Sequence, residues 1–380
     1  MAAVSIFPLC VGARPIQWYA PYSSENLGWA MKGLVVFLLL IPIAVREGFD
    51  RETEPQAVSL TSLFLLLSGL MTACNGWLVD WNNESWQRQL YLDIFNHGTD
   101  QSGLRIPHQY RPLPYGFVRS LEWVTGDWWF ACIAYRWYFT FWFVWGAHRF
   151  ARLFLRPRWA LLTLIPLVAL YPLSVRYYWG QLTDPLSHAL FALSLIYIIQ
   201  DRWVVLALSL VLGVLAKETA VLLTVSYFAC HWRNFWPALS RTAVMGAGCA
   251  AAYFAVWLRA QREAWLLAQR EVGYESINGT GLMIGTNLGI GDPSASSFVP
   301  LYENYLQPLL FVGLFLPVII WRWRIIDGRL RAICVTLVPL LLLSNLCFGW
   351  MYESRNYMPL VPLLATMAAQ ALTQSRPENG

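Results

Sequence analysis

The residues best suited to chemistry sit in a few short polar clusters between long apolar runs. The richest reads Asp80-Trp-Asn-Asn-Glu84-Ser-Trp-Gln-Arg88-Gln-Leu-Tyr91-Leu-Asp93-Ile-Phe-Asn-His97-Gly98, followed after a short gap by His108-Gln-Tyr110-Arg111-Pro-Leu-Pro114. Carboxylates are general bases when held near a hydroxyl. His97 and Arg111 add polar and cationic groups, and the interleaved Trp and Tyr rings offer flat faces that suit sugar stacking. Asp80, Glu84 and Asp93 are therefore the candidate catalytic acids, with His97, Tyr110 and Arg111 as candidate binding residues. The competing reading is a solvated loop whose charges do nothing specific.

Three further clusters carry charge beside apolar runs. In Arg176-Tyr177-Tyr178-Trp179-Gly180-Gln181-Leu182-Thr183-Asp184-Pro185, Asp184 precedes Pro at a helix start, where a carboxylate also serves as a cap. Lys217-Glu218 lies between two apolar runs, where charge is costly unless paired or facing a wet cavity; a local ion pair closing a tight turn is the plainer reading. In Glu353-Ser354-Arg355-Asn356-Tyr357, Arg355 is able to grip a phosphate bidentately or simply to snorkel to an interface. Arg136 sits mid-run among aromatics and reads as structural.

The elements that must position these residues are membrane helices. Of the 380 residues, 57% are hydrophobic and only 13% charged, against about a quarter charged in soluble domains. Apolar runs of about 15 to 20 residues alternate with short charged punctuation, as spanning helices require. Many of the 21 Trp residues mark run ends, as in an interfacial aromatic belt. The pattern predicts an all-α polytopic bundle, a single transmembrane domain of roughly eleven spans. These lie near Leu27–Val45, Val58–Asn75, Asp127–Ala147, Trp159–Leu173, Pro185–Ile199, Trp203–Leu215, Thr219–Cys230, Thr242–Leu258, Leu306–Trp321, Ala332–Trp350 and Tyr357–Leu372, after an N-terminal tail of residues 1–26. The seven Cys residues show neither CxxC nor metal spacing and read as packing residues. Nothing in a net charge of +5 with dispersed Arg suggests nucleic-acid binding.

Short loops rich in Arg set the direction. Arg149, Arg152, Arg156 and Arg158 crowd one loop, Arg322, Arg324, Arg329 and Arg331 another, and Arg233 and Arg241 a third. With these spans all three share the cytoplasmic side with the C-terminus, and the N-terminus lies outside. Two long loops, Gly76 to Gly126 and Arg259 to Tyr305, fall on the outer side. The second opens with an expected amphipathic helix over Arg259 to Val272, followed by a Gly-rich stretch from Asn278 to Pro293. The acids, Asp184, Lys217-Glu218 and Arg355 come from distant parts of the chain, yet this topology sends all of them to the outer face.

Several short texts bear a resemblance to a family. Tyr91-Leu92, His97-Gly98 and Tyr110-Arg111-Pro112-Leu113-Pro114, then Gly180-Gln181 with Asp184-Pro185, then Ala216-Lys217-Glu218-Thr219, then Glu353 to Tyr357, occur in the order seen in bacterial mannosyltransferase-like members of the GT-C superfamily, which use polyprenyl-phosphate sugars. The resemblance covers most of the chain from about Leu78. It departs in having two expected spans before the acidic loop, where the family usually has one, and in placing Gln87 where the acid often sits. It implies a transferase of the bacterial plasma membrane. A carboxylate would deprotonate an acceptor hydroxyl, and Arg111, Lys217 or Arg355 would stabilise the leaving phosphate. The implied partners are a lipid-linked sugar donor, a glycan or lipid acceptor and membrane lipids. Some relatives use a divalent metal such as Mg or Mn and others none, so the cofactor stays open. The competing classes are a transporter or flippase of lipid-linked saccharides and a non-catalytic assembly subunit. The topology is checked by placing single cysteines in the loop at Gly76–Gly126: labelling by an impermeant maleimide is expected from the outer side, and labelling only from the cytoplasmic side inverts the scheme.

Overall fold

The computed structural model describes residues 57–78, 111–176, 181–268, 301–348, 351 and 353–374. Among them the regular structure is entirely helical. The expected first span, Leu27–Val45, and the candidate residues Asp80, Glu84, Asp93, His97 and Tyr110 lie outside the described residues.

Helix α1 spans Ala57–Leu78, and α2, Pro112–Thr125, was not expected from the sequence, which reads that stretch as part of a loop. Its ends are marked chemically. Pro112 occupies the first turn, where a missing N–H is harmless, and Gly126 stops the helix at φ 73, a left-handed value glycine adopts freely. Asp127 then caps α3 (Trp128–Ala151), its Oδ1 accepting from the N–H groups of Trp129 at 2.7 Å and Phe130 at 3.1 Å. A stop and a start on adjacent residues fold α2 back against α3.

Prolines divide the apolar runs that follow. α4 (Pro157–Leu162) and α5 (Leu164–Arg176) part where the Pro166 ring would meet the carbonyl of Leu162. In the run expected as one span over Leu306–Trp321, α10 (Leu301–Pro308) and α11 (Leu316–Trp321) flank a π turn at Leu309–Gly313. Pro317 cannot bond back to Gly313, and the Leu314 N–H reaches Leu309 instead at 3.1 Å. Between these pairs run α6 (Thr183–Ile199), α7 (Trp203–Ala216), α8 (Leu222–His231) and α9 (Phe235–Ala268). The last two helices are α12 (Gly328–Phe348) and α13 (Val361–Thr373).

α9 corrects one expectation. The sequence reading ended a span at Leu258 and began an amphipathic helix at Arg259, but one helix of 34 residues runs through both. Ala, Leu, Arg, Gln and Glu dominate that junction and neither Gly nor Pro interrupts it, so a change in polarity along the helix does not break its backbone.

Among the described residues, three stretches are long and apolar enough to cross a membrane, Pro157–Ser174, Glu218–Leu258 and Gly328–Phe348. Leu60–Ala73, Thr183–Ile199 and Trp203–Ala216 are shorter apolar helices. α6 lies between α3 and α7, and α13 packs across α3, α5 and α11. Phe143, Phe150, Leu167, Leu195, Leu223, Leu337 and Leu364 fill the common core. A second cluster of Tyr115, Val118, Trp128, Cys132, Tyr135, Leu182, Leu186 and Ala216 seats α2 on the ends of α3, α6 and α7. Leu208, Trp236, Phe254, Leu314, Ile320, Val335 and Phe348 point outward, an apolar exterior of the kind lipid covers.

The bundle has two chemically distinct ends. Beyond the last turn of α6, Asp201 adopts φ 53 and accepts from Tyr227 Oη at 2.7 Å and from Arg241 at 3.0 and 3.1 Å. Burial alone would raise this carboxyl, but the bonds from Tyr227 and Arg241 outweigh it and hold Asp201 below the ordinary carboxylate range. Arg329 stacks over Phe154, and the Asp327 N–H reaches Gln370 near the end of α13. The Arg-rich loops and the C-terminal helix end therefore gather with the far end of α6.

At the near end, α7 stops at Lys217, whose extended backbone (φ −164, ψ 123) turns the chain into the 3₁₀ turn Glu218–Val221. A Cβ on Gly213 would stand 2.7 Å from the Ala220 Cβ, so glycine permits this close return. Gly213→Ala is expected to destabilise the protein, because overpacking of roughly 1–3 kcal/mol exceeds the ~1 kcal/mol that Ala gains over Gly in a helix. Gly246→Ala, which meets nothing within 4 Å, should be neutral or stabilising. Thermal melts of the two solubilised variants check the contrast.

Candidate functional site

The near end of the bundle gathers buried charge from distant parts of the chain. Asp184 lies in the first turn of α6 and is 6% exposed. It is not a cap, since α6 has no side-chain cap bond and the carboxylate is used elsewhere. Its Oδ1 accepts from Lys217 Nζ at 3.1 Å, and its Oδ2 accepts from Arg355 Nη1 at 3.4 Å. Lys217 and Arg355 are each 5% exposed. The Lys217-Glu218 dipeptide thus does not close on itself. Lys217 turns inward to Asp184, and Glu218 turns to Arg111, which donates through Nε at 2.9 Å and Nη2 at 2.5 Å in a two-pronged pair. The guanidinium of Arg111 is buried while the Glu218 side chain stays 42% exposed, so this pair forms the exposed rim of the group.

Arg355 is held by the short helical turn Ser354–Asn356, which is pinned on three sides. Ser354 Oγ donates to the Leu173 carbonyl at the end of α5 at 2.7 Å. The Arg355 carbonyl lies 3.1 Å from His188 Nε2, one turn along α6 from Asp184. Glu353 Oε2 accepts from Arg355 Nη2 and from Asn356 Nδ2, both at 3.0 Å. Tyr357 then anchors the chain by donating to the Met351 carbonyl at 3.0 Å.

Among the described residues, three cations (Arg111, Lys217, Arg355) and three carboxylates (Asp184, Glu218, Glu353) therefore make one balanced group, and the two sets of pairs lie close enough for Arg111 to feel both Arg355 and Asp184. Burial alone would lower Arg111, but Glu218 outweighs it and holds the guanidinium above its ordinary value. Burial pulls the Lys217 ammonium below the usual lysine range, with Asp184 opposing it. Among the described residues Lys217 Nζ hydrogen-bonds to Asp184 alone, which leaves donor capacity on the ammonium.

Of the residues singled out in the sequence, Arg111, Asp184, Lys217, Glu218 and Arg355 come together here. Arg136 is buried in α3 at 4% exposure. Glu353, Asn356, His188 and Gln181 belong to the same end but were not chosen as site residues. His188 carried a usable signal, since it stands four residues after Asp184 on one face of α6. No group of three or more His, Cys, Asp or Glu side chains among the described residues is arranged to hold a metal ion. Comparison of the chain with protein-family models, with curated proteins and with solved structures gave no match.

The carboxylate of Asp184 neutralises two buried cations at once, whereas Lys217 is one of two partners of that carboxylate. Asp184→Asn is expected to destabilise the protein by roughly 3–5 kcal/mol, the range for removing one partner of a buried ion pair. Lys217→Met should cost clearly less, because Arg355 continues to neutralise Asp184. Denaturation of both variants in detergent checks the order, and equal losses would contradict it.

Proposed function

We propose that the protein is a membrane glycosyltransferase that moves a sugar from a polyprenyl-phosphate donor to an acceptor at the outer face, by an inverting mechanism with a carboxylate base. The observation that carries this reading is the gathering of Arg111, Asp184, Lys217, Glu218 and Arg355 at the end of the bundle away from the Arg-rich loops. The expected topology sends those same residues to the outer face. The bundle of roughly eleven spans, with the N-terminus outside and the C-terminus cytoplasmic, belongs to the same proposal.

On this reading one of Asp80, Glu84 and Asp93 takes the proton from the acceptor hydroxyl. The freed oxygen attacks the anomeric carbon, and the bond from that carbon to the phosphate oxygen breaks, leaving polyprenyl phosphate. The negative charge that grows on the leaving phosphate is met by cations already fixed in place, which is where preorganised electrostatics lowers a barrier most. The spare N–H donors of Lys217 suit a phosphate oxygen, and the part-exposed Arg111–Glu218 pair offers an approach from water. The apolar exterior of the neighbouring helices suits the polyprenyl chain.

Asp80→Asn, Glu84→Gln and Asp93→Asn, made singly, test the base. Sugar transfer from polyprenyl-phosphate donors is assayed in membranes matched for protein amount. At least one variant is expected to lose transfer by about 10²–10⁴-fold, the scale of a general base. Full transfer by all three would remove the acid–base proposal, and active uptake of the lipid-linked sugar without transfer would favour a transporter.

A further inference from the structure

The charged group leaves hydrogen-bonding capacity around it that its own pairing does not use. Gln181 is 3% exposed, Thr183 0% and Asn356 7%, and among the described residues Gln181 Oε1, Thr183 Oγ1 and Asn356 Oδ1 have no hydrogen-bond partner. All three lie within three residues, along the chain, of Asp184 or Arg355, which are in contact. Gln181 and Thr183 come just before Asp184 at the start of α6, and Asn356 follows Arg355. The Asn356 amide cannot be flipped to relieve its oxygen, because Nδ2 donates to Glu353 and the reversed amide would set oxygen against a carboxylate. A buried hydroxyl or amide oxygen without a partner is destabilising, and valine in place of Thr183 would fill the same space without that penalty.

We propose that Gln181, Thr183 and Asn356 form a subsite for the hydroxyl groups of a sugar, beside the charged group that takes its phosphate. The chemistry favours a polyol over other ligands. Hydroxyls donate to the three oxygens while the phosphate of the same ligand accepts from the remaining N–H groups of Lys217, so one ligand satisfies both kinds of leftover capacity. A fully ionised phosphate, which only accepts, would satisfy Lys217 and leave the oxygens as they are. The inference rests on the polyprenyl-phosphate-sugar reading above and adds the residues that distinguish a glycosylated donor from the bare lipid phosphate.

The test uses the full chain in nanodiscs and measures binding of polyprenyl phosphate and of polyprenyl-phosphate mannose, glucose and galactose, for wild type, Thr183→Val and Gln181→Met. Wild type is expected to prefer at least one glycosylated lipid. Each variant should lose about tenfold in affinity for that lipid, equivalent to ~1.4 kcal/mol, while binding bare polyprenyl phosphate as wild type does. Thr183→Val should also melt no lower than wild type without ligand. A wild-type preference that both variants retain overturns the subsite and leaves the donor reading standing. Equal loss for bare and glycosylated lipid, or a lower melting temperature of Thr183→Val, assigns these side chains to the fold and overturns the subsite. If wild type binds none of the four lipids, the donor reading falls and the subsite with it.

Discussion

Charge can stay inside an apolar bundle only where each charge is matched, and that constraint organises the near end of this protein. Moving a single ion out of water costs several kcal/mol even after relaxation. Among the described residues, six charged side chains from four separate parts of the chain meet that requirement by pairing three against three. The pairing fixes backbone as well as side chains. Lys217 can reach Asp184 while Glu218 reaches Arg111 only because α7 ends in an extended residue that sends neighbouring side chains in different directions. Arg111 in turn ties the start of α2 to the turn after α7, and Arg355 ties the last hairpin to the start of α6.

The opposite end answers to a different rule. Asp201, Tyr227 and Arg241 also join three segments, but the Asp201 and Arg241 side chains are partly exposed, and such solvent-screened pairs contribute little. Their bonds there fix the tight turn between α6 and α7 without a large desolvation cost. Ion pairs sunk in the bundle at one end and part-solvated pairs among Arg-rich loops at the other give the molecule a direction, independently of any motif.

Much of that direction was legible in the sequence. Counting apolar runs and Arg-rich loops puts Asp184, Lys217-Glu218 and Arg355 on one side, because each helix of a bundle simply reverses the chain. The specific partners were not legible. Lys217 and Glu218 are adjacent, and only the extended φ of Lys217 separates them. α2 was missed because its 14 residues carry two prolines near the start, which read as loop punctuation but are harmless in a first turn. α9 was divided at Arg259 because polarity changes there, although nothing in the sequence breaks the helix. Periodicity reports which face meets lipid or water; it does not report where a helix stops.

A balanced network also has a structural role of its own. If every cation at the near end were saturated by a carboxylate, pairing would account for the whole group, and the residues would serve to join α2, α6, α7 and the Ser354–Asn356 turn. Lys217 is not saturated by Asp184, since an ammonium carries three N–H donors and one is used among the described residues. Three neighbouring buried oxygens likewise gain nothing from the ion pairs. Folding alone would favour apolar side chains of the same shape at those positions. The sugar subsite therefore rests on the donors and acceptors that the network leaves over, beside the charges whose gathering carries the transferase reading.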